Sequence, residues 1–342
     1  MKISRRQFVK AMAAMSAASM LAACGGNSGS GSSGGKKALT FQIWDVAQKE
    51  GMEAMCAAYT QQHPEVSIEV QVTSWNEYWT KLEAAATSNQ MPDIFWMHTN
   101  ELLKYADNGM LADCSDIVEK DKFSDVSLSN AMGSNGTLYA VPKDKDTVGL
   151  VYNKEMFDAA GVAYPDENWT WDDLVSASEK IYDATGKYGY MAYADDQLGY
   201  WNFVYQAGGY ILNEDKTKAG FTQPATEKAM KFYIGLQQND WCPNQTYFAE
   251  TAPGTAFFSE KGAMFLEGDW NILAELQNYP EMVGKWDVAV LPKCPDPESG
   301  DGRATISNGL CYATAASNKN LDTVKDIPVS YTHLRAHETV LD

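Results

Sequence analysis

Short apolar runs alternate along the chain with segments whose apolar residues recur every three to four positions. Leu39–Trp44 reads as a strand ended by Asp45, and Gly51–Tyr59 has helical spacing until His63-Pro64 stops it. Ser67–Val72 alternates as a strand, and Trp75–Thr87 places Trp75, Tyr78, Trp79 and Leu82 on one helical face. Met91–Met97 is again strand-like, and Glu101–Ala106 is helical up to Gly109. This alternation predicts an α/β body with a largely parallel sheet. Ligands of open α/β sheets sit beyond the carboxyl ends of the strands, where Trp44, Asp45, His98 and Asn100 fall.

The stretch Thr137–Gly161 is the centre of the pattern. A short strand ends at Pro142, Lys143–Asp146 is a charged loop, and Val148–Tyr152 is a second strand. A helix follows Asn153, with Gly161 as its stop. Periodicity fits either a hairpin or a ribbon crossing between two bodies, and the ribbon would put Asp144 and Asp146 in a cleft. Thr170 caps the next helix, with Asp172 and Asp173 in its first turn, so Trp169 and Trp171 read as packing residues. Helices are expected from Trp201 to Gly208-Gly209, over Ala225–Gln238, and from Asp269-Trp270 to Leu276. Strands are expected at Ala263–Leu266, Trp286–Leu291 and Thr305–Ala313. Asp296–Gly302 does not match a calcium loop and reads as a solvated turn.

The spacing from Ala140-Val141-Pro142 through Asp146-Thr147 and Gly149-Leu150 to Tyr152-Asn153-Lys154, Phe157 and Ala160-Gly161 resembles the solute-binding proteins of carbohydrate ABC importers, relatives of maltose-binding protein. Met91-Pro92-Asp93-Ile94-Phe95, Trp169-Thr170-Trp171, Gly208-Gly209, Gly262-Ala263-Met264 and Gly268-Asp269-Trp270 follow in the right order. Together they carry the resemblance from about Leu39 to about Asp326. It implies an α/β, two-lobed periplasmic-binding-protein-like fold with a hinge between the lobes and the C-terminal helices missing. Lobe 1 would comprise 38–145 plus 307–327, and lobe 2 146–306. The stretch at 137–161 would then contain the first crossing between lobes, and Thr305–Ala313 the return. Pro328–Asp342 carries two of the four histidines and resembles translated adapter read-through. No amphipathic helix is expected after Asn318-Lys319-Asn320.

Charge and the termini change the picture further. The 342 residues carry a net charge of −18, and loss of residues 1–24 would leave 23 basic against 45 acidic groups, or −22. That balance argues against nucleic acid or an anionic membrane as partner through a basic face. Ser4–Lys10 resembles a twin-arginine export signal, and Leu21-Ala22-Ala23-Cys24-Gly25 resembles a bacterial lipobox with Cys24 as the lipidated residue. The Gly/Ser run of residues 25–37 is then a flexible tether to the cell membrane. Of the remaining cysteines, Cys56, Cys114, Cys242, Cys294 and Cys311, none forms a Cys-x-x-Cys pair. Outside the membrane they are compatible with one or two disulfides or with small buried hydrophobes.

No catalytic constellation, metal motif or cofactor fingerprint stands out. Ten tryptophans and eighteen tyrosines exceed what the core requires, and Trp44-Asp45, Trp201-Asn202 and Asp269-Trp270 each join a ring to a polar group. Such pairs suit sugars, whose flat C–H faces pack on rings while their hydroxyls need polar partners. The resemblance adds Trp270 as a stacking ring and Asp146 as an acidic contact. The expected ligand site is Trp44, Asp45, His98, Asn100, Asp144, Asp146, Trp201, Asn202, Asp269 and Trp270. The expected partners are a small carbohydrate and ABC permease subunits, with the protein a lipid-anchored monomer. A secreted glycoside hydrolase, or a binder of cations such as polyamines, would share the clustered tryptophans or the acidic cleft.

Overall fold

Two strands only four residues apart in the chain end in different sheets, and this divides the molecule. The computed structural model describes residues 36–213 and 217–338. The export signal, lipobox and tether expected before residue 36 lie outside the described residues, except that the first strand already begins at Lys37. The strands are β1 (Lys37–Ile43), β2 (Val66–Val72), β3 (Ile94–His98), β4 (Val141–Pro142), β5 (Asp146–Asn153), β6 (Tyr188–Tyr190), β7 (Gly262–Gly268), β8 (Trp286–Ala289), β9 (Ser307–Asn308) and β10 (Leu310–Ala313). One sheet runs β2-β1-β3-β10-β4, and the other β6-β7-β5-β8 with β9 beside β5. β4 and β5 are therefore a ribbon between two bodies and not a hairpin.

In the first body β1 runs parallel to β2 and β3, with β10 antiparallel between β3 and β4. The second sheet is mixed: β6 and β7 are parallel, while β5 runs antiparallel to β7, β8 and β9. Helices α1 (Lys49–Gln62), α2 (Trp75–Thr87), α3 (Thr99–Ala106) and α4 (Asp125–Asn130) belong to the first body. The second carries α5 (Lys154–Ala160), α6 (Trp171–Thr185), α7 (Trp201–Gln206), α8 (Pro224–Leu236), α9 (Gln245–Glu250), α10 (Pro253–Phe258) and α11 (Ile272–Asn278). The last helix, α12 (Leu321–Glu338), returns to the first body.

Local chemistry accounts for these boundaries. Gly161 closes α5 at φ 63°, a left-handed position that costs a residue with Cβ more than glycine. Thr170 and Asp173 form a reciprocal capping box on α6. β3 starts at Ile94 and not at Met91, because the Asp93 carboxylate accepts both the Thr40 N–H at 2.9 Å and its hydroxyl at 3.2 Å and turns the chain. The return segment is not one strand either. It breaks at Gly309, with β9 paired to β5 in one sheet and β10 paired to β3 and β4 in the other.

The hydrophobic interior divides in the same way. Phe41, Phe95, Trp96 and Tyr312 belong to one core, which draws its members from before residue 142 and after residue 309. Leu150, Phe203, Ala263 and Met264 belong to the core of the second body. Burial of each such large side chain stabilises its own body by about 1.5–3 kcal/mol. The helix not expected after Asn320 is present as α12. Val324 and Ile327, three residues apart, are buried against the first core, and Tyr59 donates to Asp326 at 2.9 Å. Cys56, Cys114, Cys242, Cys294 and Cys311 are all buried and none is in a disulfide, so they pack as small hydrophobes.

Asn202, expected to face a ligand, is fully buried. Its amide donates to the carbonyls of Gln197 at 2.7 Å and Gly199 at 3.1 Å, and its oxygen accepts the Ile306 N–H at 2.8 Å. The side chain therefore fastens the start of α7 to the return segment and has nothing left for a ligand. Asn202→Ala should destabilise the protein by about 2–4 kcal/mol, through the orphaned backbone groups and the cavity left behind. A lowered urea midpoint at unchanged m-value would show it.

Candidate ligand site between the lobes

The two crossing strands are zipped together. The Lys143 N–H donates to the Leu310 carbonyl at 2.7 Å, and the Leu310 N–H donates to Asp144 Oδ1 at 2.8 Å. Beyond the pivot, Asp146 and Thr147 pair with Asn308 and Ser307. Gly309 is needed between these pairings, since a Cβ there would lie 2.8 Å from the Asp144 carbonyl oxygen. The other Asp144 oxygen binds the Lys143 ammonium, which also reaches Gln48 Oε1 at 3.2 Å and lies over the Trp96 ring. Gln48 in turn donates to Asp45 at 2.9 Å, so Asp45 and Asp144 end one relay of polar contacts.

Of the other expected residues, His98 and Asp269 reach this crossing. His98 ends β3 opposite Leu310, and the charges of Asp144 and of Asp196 in the second body act on its ring. Asp269, just past β7, accepts the Thr147 N–H at 3.1 Å. Trp270 is half-buried against the second core and lies across Gly268, where a Cβ would come within 2.3 Å of the indole. Trp44 sits in an aromatic cluster, edge-on to Trp75, Tyr78 and Trp96 at ring distances of 4.9–5.1 Å. Trp75, at 42% exposure, is the outward member of that cluster. Asn100 is exposed, and its backbone N–H donates to the His98 side chain, which caps α3. Trp201 is half-buried at the edge of the second core.

Several residues here were missed by sequence reasoning. Asp195 and Asp196 follow β6, and Glu267 stands at the end of β7. The strand-end rule that selected Asp45 and His98 applies to Glu267 after the expected strand Ala263–Leu266, and would have reached Asp195 and Asp196 had Tyr188–Tyr190 been read as a strand. Lys143 was passed over as part of a charged loop. The Thr147 amide carries no side-chain signal.

Acidic groups crowd the junction. Burial pushes the Asp146 carboxyl up to about 7, with repulsion from Asp144 and Asp269 adding to it and Lys143 opposing it. Glu267 is likewise pushed up to about 7 by burial, against hydrogen bonds from the Asn271 amide and the Gly268 N–H. Burial also raises Asp195, while it lowers His98 to about 4 against the pull of Asp144 and Asp196. Among the described residues, no group of three or more His, Cys, Asp or Glu is arranged to hold a metal ion. Half-buried rings beside hydrogen-bonding carboxylates are suited to an uncharged polar ligand with apolar faces.

Two sheets joined by crossing strands, with such a site at the junction, define a two-lobed ligand-binding protein. Residues 44–326 match the bacterial extracellular solute-binding protein family, and the chain belongs to it. Membership places the protein outside the cytoplasm. Among the described residues no helix is long and apolar enough to cross a membrane. A lactose-binding protein of Rhizobium radiobacter is 25% identical over 295 residues, 82% of this chain and 67% of the relative. A diacetylchitobiose-binding protein of Streptomyces coelicolor is 24% identical over 332 residues, 93% of this chain and 76% of the relative. An ABC substrate-binding protein of Listeria monocytogenes, solved with cycloalternan, superposes with a TM-score of 0.75 at 24% identity, covering 86% of this chain and 75% of that one, and shows the same fold.

The raised Asp146 pKa has a stability consequence. A carboxyl at about 7 in the folded protein and near 3.8 in the unfolded chain keeps a proton that the unfolded chain has lost. Its contribution is therefore intact below pH 4 and is lost as pH rises towards 7. His98 acts oppositely over about pH 4–6.5, where the unfolded chain takes the proton first. Asp146→Asn removes only the first effect. Relative to wild type it should be about 1–3 kcal/mol more stabilising at pH 8 than at pH 5, allowing for partial solvent screening. Denaturant melts of both proteins at the two pH values measure the difference, and equal effects at both would contradict the assignment.

Proposed function

We propose that the protein binds a sugar or oligosaccharide between its lobes and delivers it to the permease of an ABC importer. What supports this reading is that His98, Asp146 and Asp269 stand at the crossing, with Trp270 next to Asp269 in the chain, in a family whose matched relatives include ones named for lactose and diacetylchitobiose. Lobe 1 is 38–145 plus 309–327, and lobe 2 is 146–308, since β9 pairs with β5. Trp44, Asp45, His98 and Asn100 act from the first lobe, and Trp201, Asp269 and Trp270 from the second. Asp146 accepts a ligand hydroxyl, while Asp144 shapes the crossing because both its oxygens are engaged. Closure follows when the ligand contacts both lobes and so binds the closed state more tightly than the open one.

Binding and not catalysis is the task in this reading, and the protein works as a monomer. A calorimetric screen of lactose, maltotriose and diacetylchitobiose against spermidine tests it. Saturable binding of a sugar supports the reading, and binding of spermidine alone overturns it. Trp270→Ala should weaken sugar binding about thirty-fold to a thousand-fold, the loss of about 2–4 kcal/mol expected for an aromatic hot spot. Trp169→Ala should lower the melting temperature and leave the affinity of the folded protein nearly unchanged.

Lipid anchoring through Cys24 belongs to the same reading and is supported by Leu21-Ala22-Ala23-Cys24 and the Gly/Ser run after it. Cys24→Ala should release the protein or leave it unprocessed. Mass spectrometry of the membrane fraction checks this, and an unmodified Cys24 there would exclude the anchor.

A further inference from the structure

His98 is 6% exposed, yet half of its hydrogen-bonding capacity is unspent. Its Nδ1 accepts the Asn100 backbone N–H at 3.2 Å, which also caps α3. A nitrogen that accepts cannot carry the proton of a neutral ring, so the proton is on Nε2. That N–H has no hydrogen-bond partner among the described residues, and it is not one of the sealed buried atoms without a partner, so it borders open space. His98 itself is held at the crossing: β3 pairs it with Leu310, and the Thr99 N–H donates to the Gly309 carbonyl at 3.3 Å.

The charged groups that face the ring are Asp144 from the first crossing and Asp196 from the second lobe. Asp144 is held by the Leu310 N–H and by Lys143, and Asp196 accepts the Gln197 N–H at 2.8 Å. Neither is bonded to the imidazole. The Trp75 ring packs edge-on at 5.6 Å and limits rotation of the ring. Burial keeps the ring neutral above about pH 5, despite both carboxylates. A neutral ring of fixed tautomer is a donor at this position and not an acceptor.

We propose that His98 is a specificity-determining residue whose Nε2–H donates to an acceptor oxygen of the bound sugar, so that the ligand group at this point is a hydroxyl, ring or carbonyl oxygen and not an ammonium. The proposal rests on the sugar-binding reading above, but its first test does not need a ligand. Nitrogen-15 NMR of the full chain should show His98 as the Nε2–H tautomer, unchanged from pH 5.5 to 8. The Nδ1–H tautomer, or titration near pH 6.5, would overturn the proposal.

The second test separates the two nitrogens. In His98→Asn the amide oxygen replaces Nδ1 and retains the cap, but nothing reaches the Nε2 position. In His98→Gln the amide nitrogen reaches the Nε2 position, and the cap is lost. With the tightest binder among lactose, maltotriose and diacetylchitobiose, His98→Asn should melt near wild type and lose about tenfold in affinity, the scale of one hydrogen bond. His98→Gln should melt lower and bind within about threefold of wild type. Equal losses in both variants, or no loss in His98→Asn, would refute the donor role. If none of the three sugars binds while the tautomer is as expected, the sugar reading fails and the tautomer assignment stands.

Discussion

The hydrogen bonds between the two crossing strands are the constraint on which the rest depends. A chain that leaves one sheet for another must abandon a ladder of backbone pairs, and the groups it strands there need partners. Here Lys143, Asp144 and Leu310 bond each other on one side of the pivot, and Asp146, Thr147, Ser307 and Asn308 pair on the other. Lys145 and Gly309 lie between these pairings. Each crossing thus supplies partners to the other, and Asp269 and the Thr99 N–H at the strand ends supply the rest. The first body then has its own core and the second body two clusters of its own, because apolar side chains on either side of the pivot face different sheets.

The electrostatics follow from the same place. Four strand or crossing ends, those of β3, β4, β6 and β7, bring polar residues to one junction, and acidic groups outnumber basic ones there. Burial outweighs Lys143 at Asp146 and the hydrogen bonds at Glu267, so both carboxyls hold protons more tightly. A carboxyl poised near neutrality tolerates a water-poor site, because it can shed its charge when desolvated. An acidic junction is thereby compatible with an uncharged ligand.

Much of this was legible in the sequence where one physical cue acts locally. Trp75–Thr87 was delimited by apolar spacing alone, Gly161 by its freedom at positive φ, and the start of α6 by Thr170 and Asp173. The chain was not legible where distant partners decide. Asn202 could not be told from a surface asparagine, since its oxygen's partner is the Ile306 N–H, more than a hundred residues away. The break at Gly309 is set by which sheet each neighbour joins, so Thr305–Ala313 reads as one strand. β6 was missed because three residues carry too little periodicity, and the aspartates beyond it went with it. α12 was missed for a related reason: two apolar residues, Val324 and Ile327, suffice when a core awaits them.

Asn202 and His98 show why burial alone does not identify a site. Both are polar, nearly or fully inaccessible, and placed beside the crossings. Removing a polar group from water is tolerable only if its hydrogen bonds are replaced. For Asn202 both ends of the amide are engaged by backbone groups, so the cost is met within the fold and the residue is part of its framework. For His98 one nitrogen is engaged by Asn100 and the other by no described residue. The same rule of satisfaction that assigns Asn202 to the framework thus leaves His98 incomplete without something outside the chain. What separates a structural polar residue from a recognition residue here is the count of partners, and that count is set by the tertiary fold and not by the residue type.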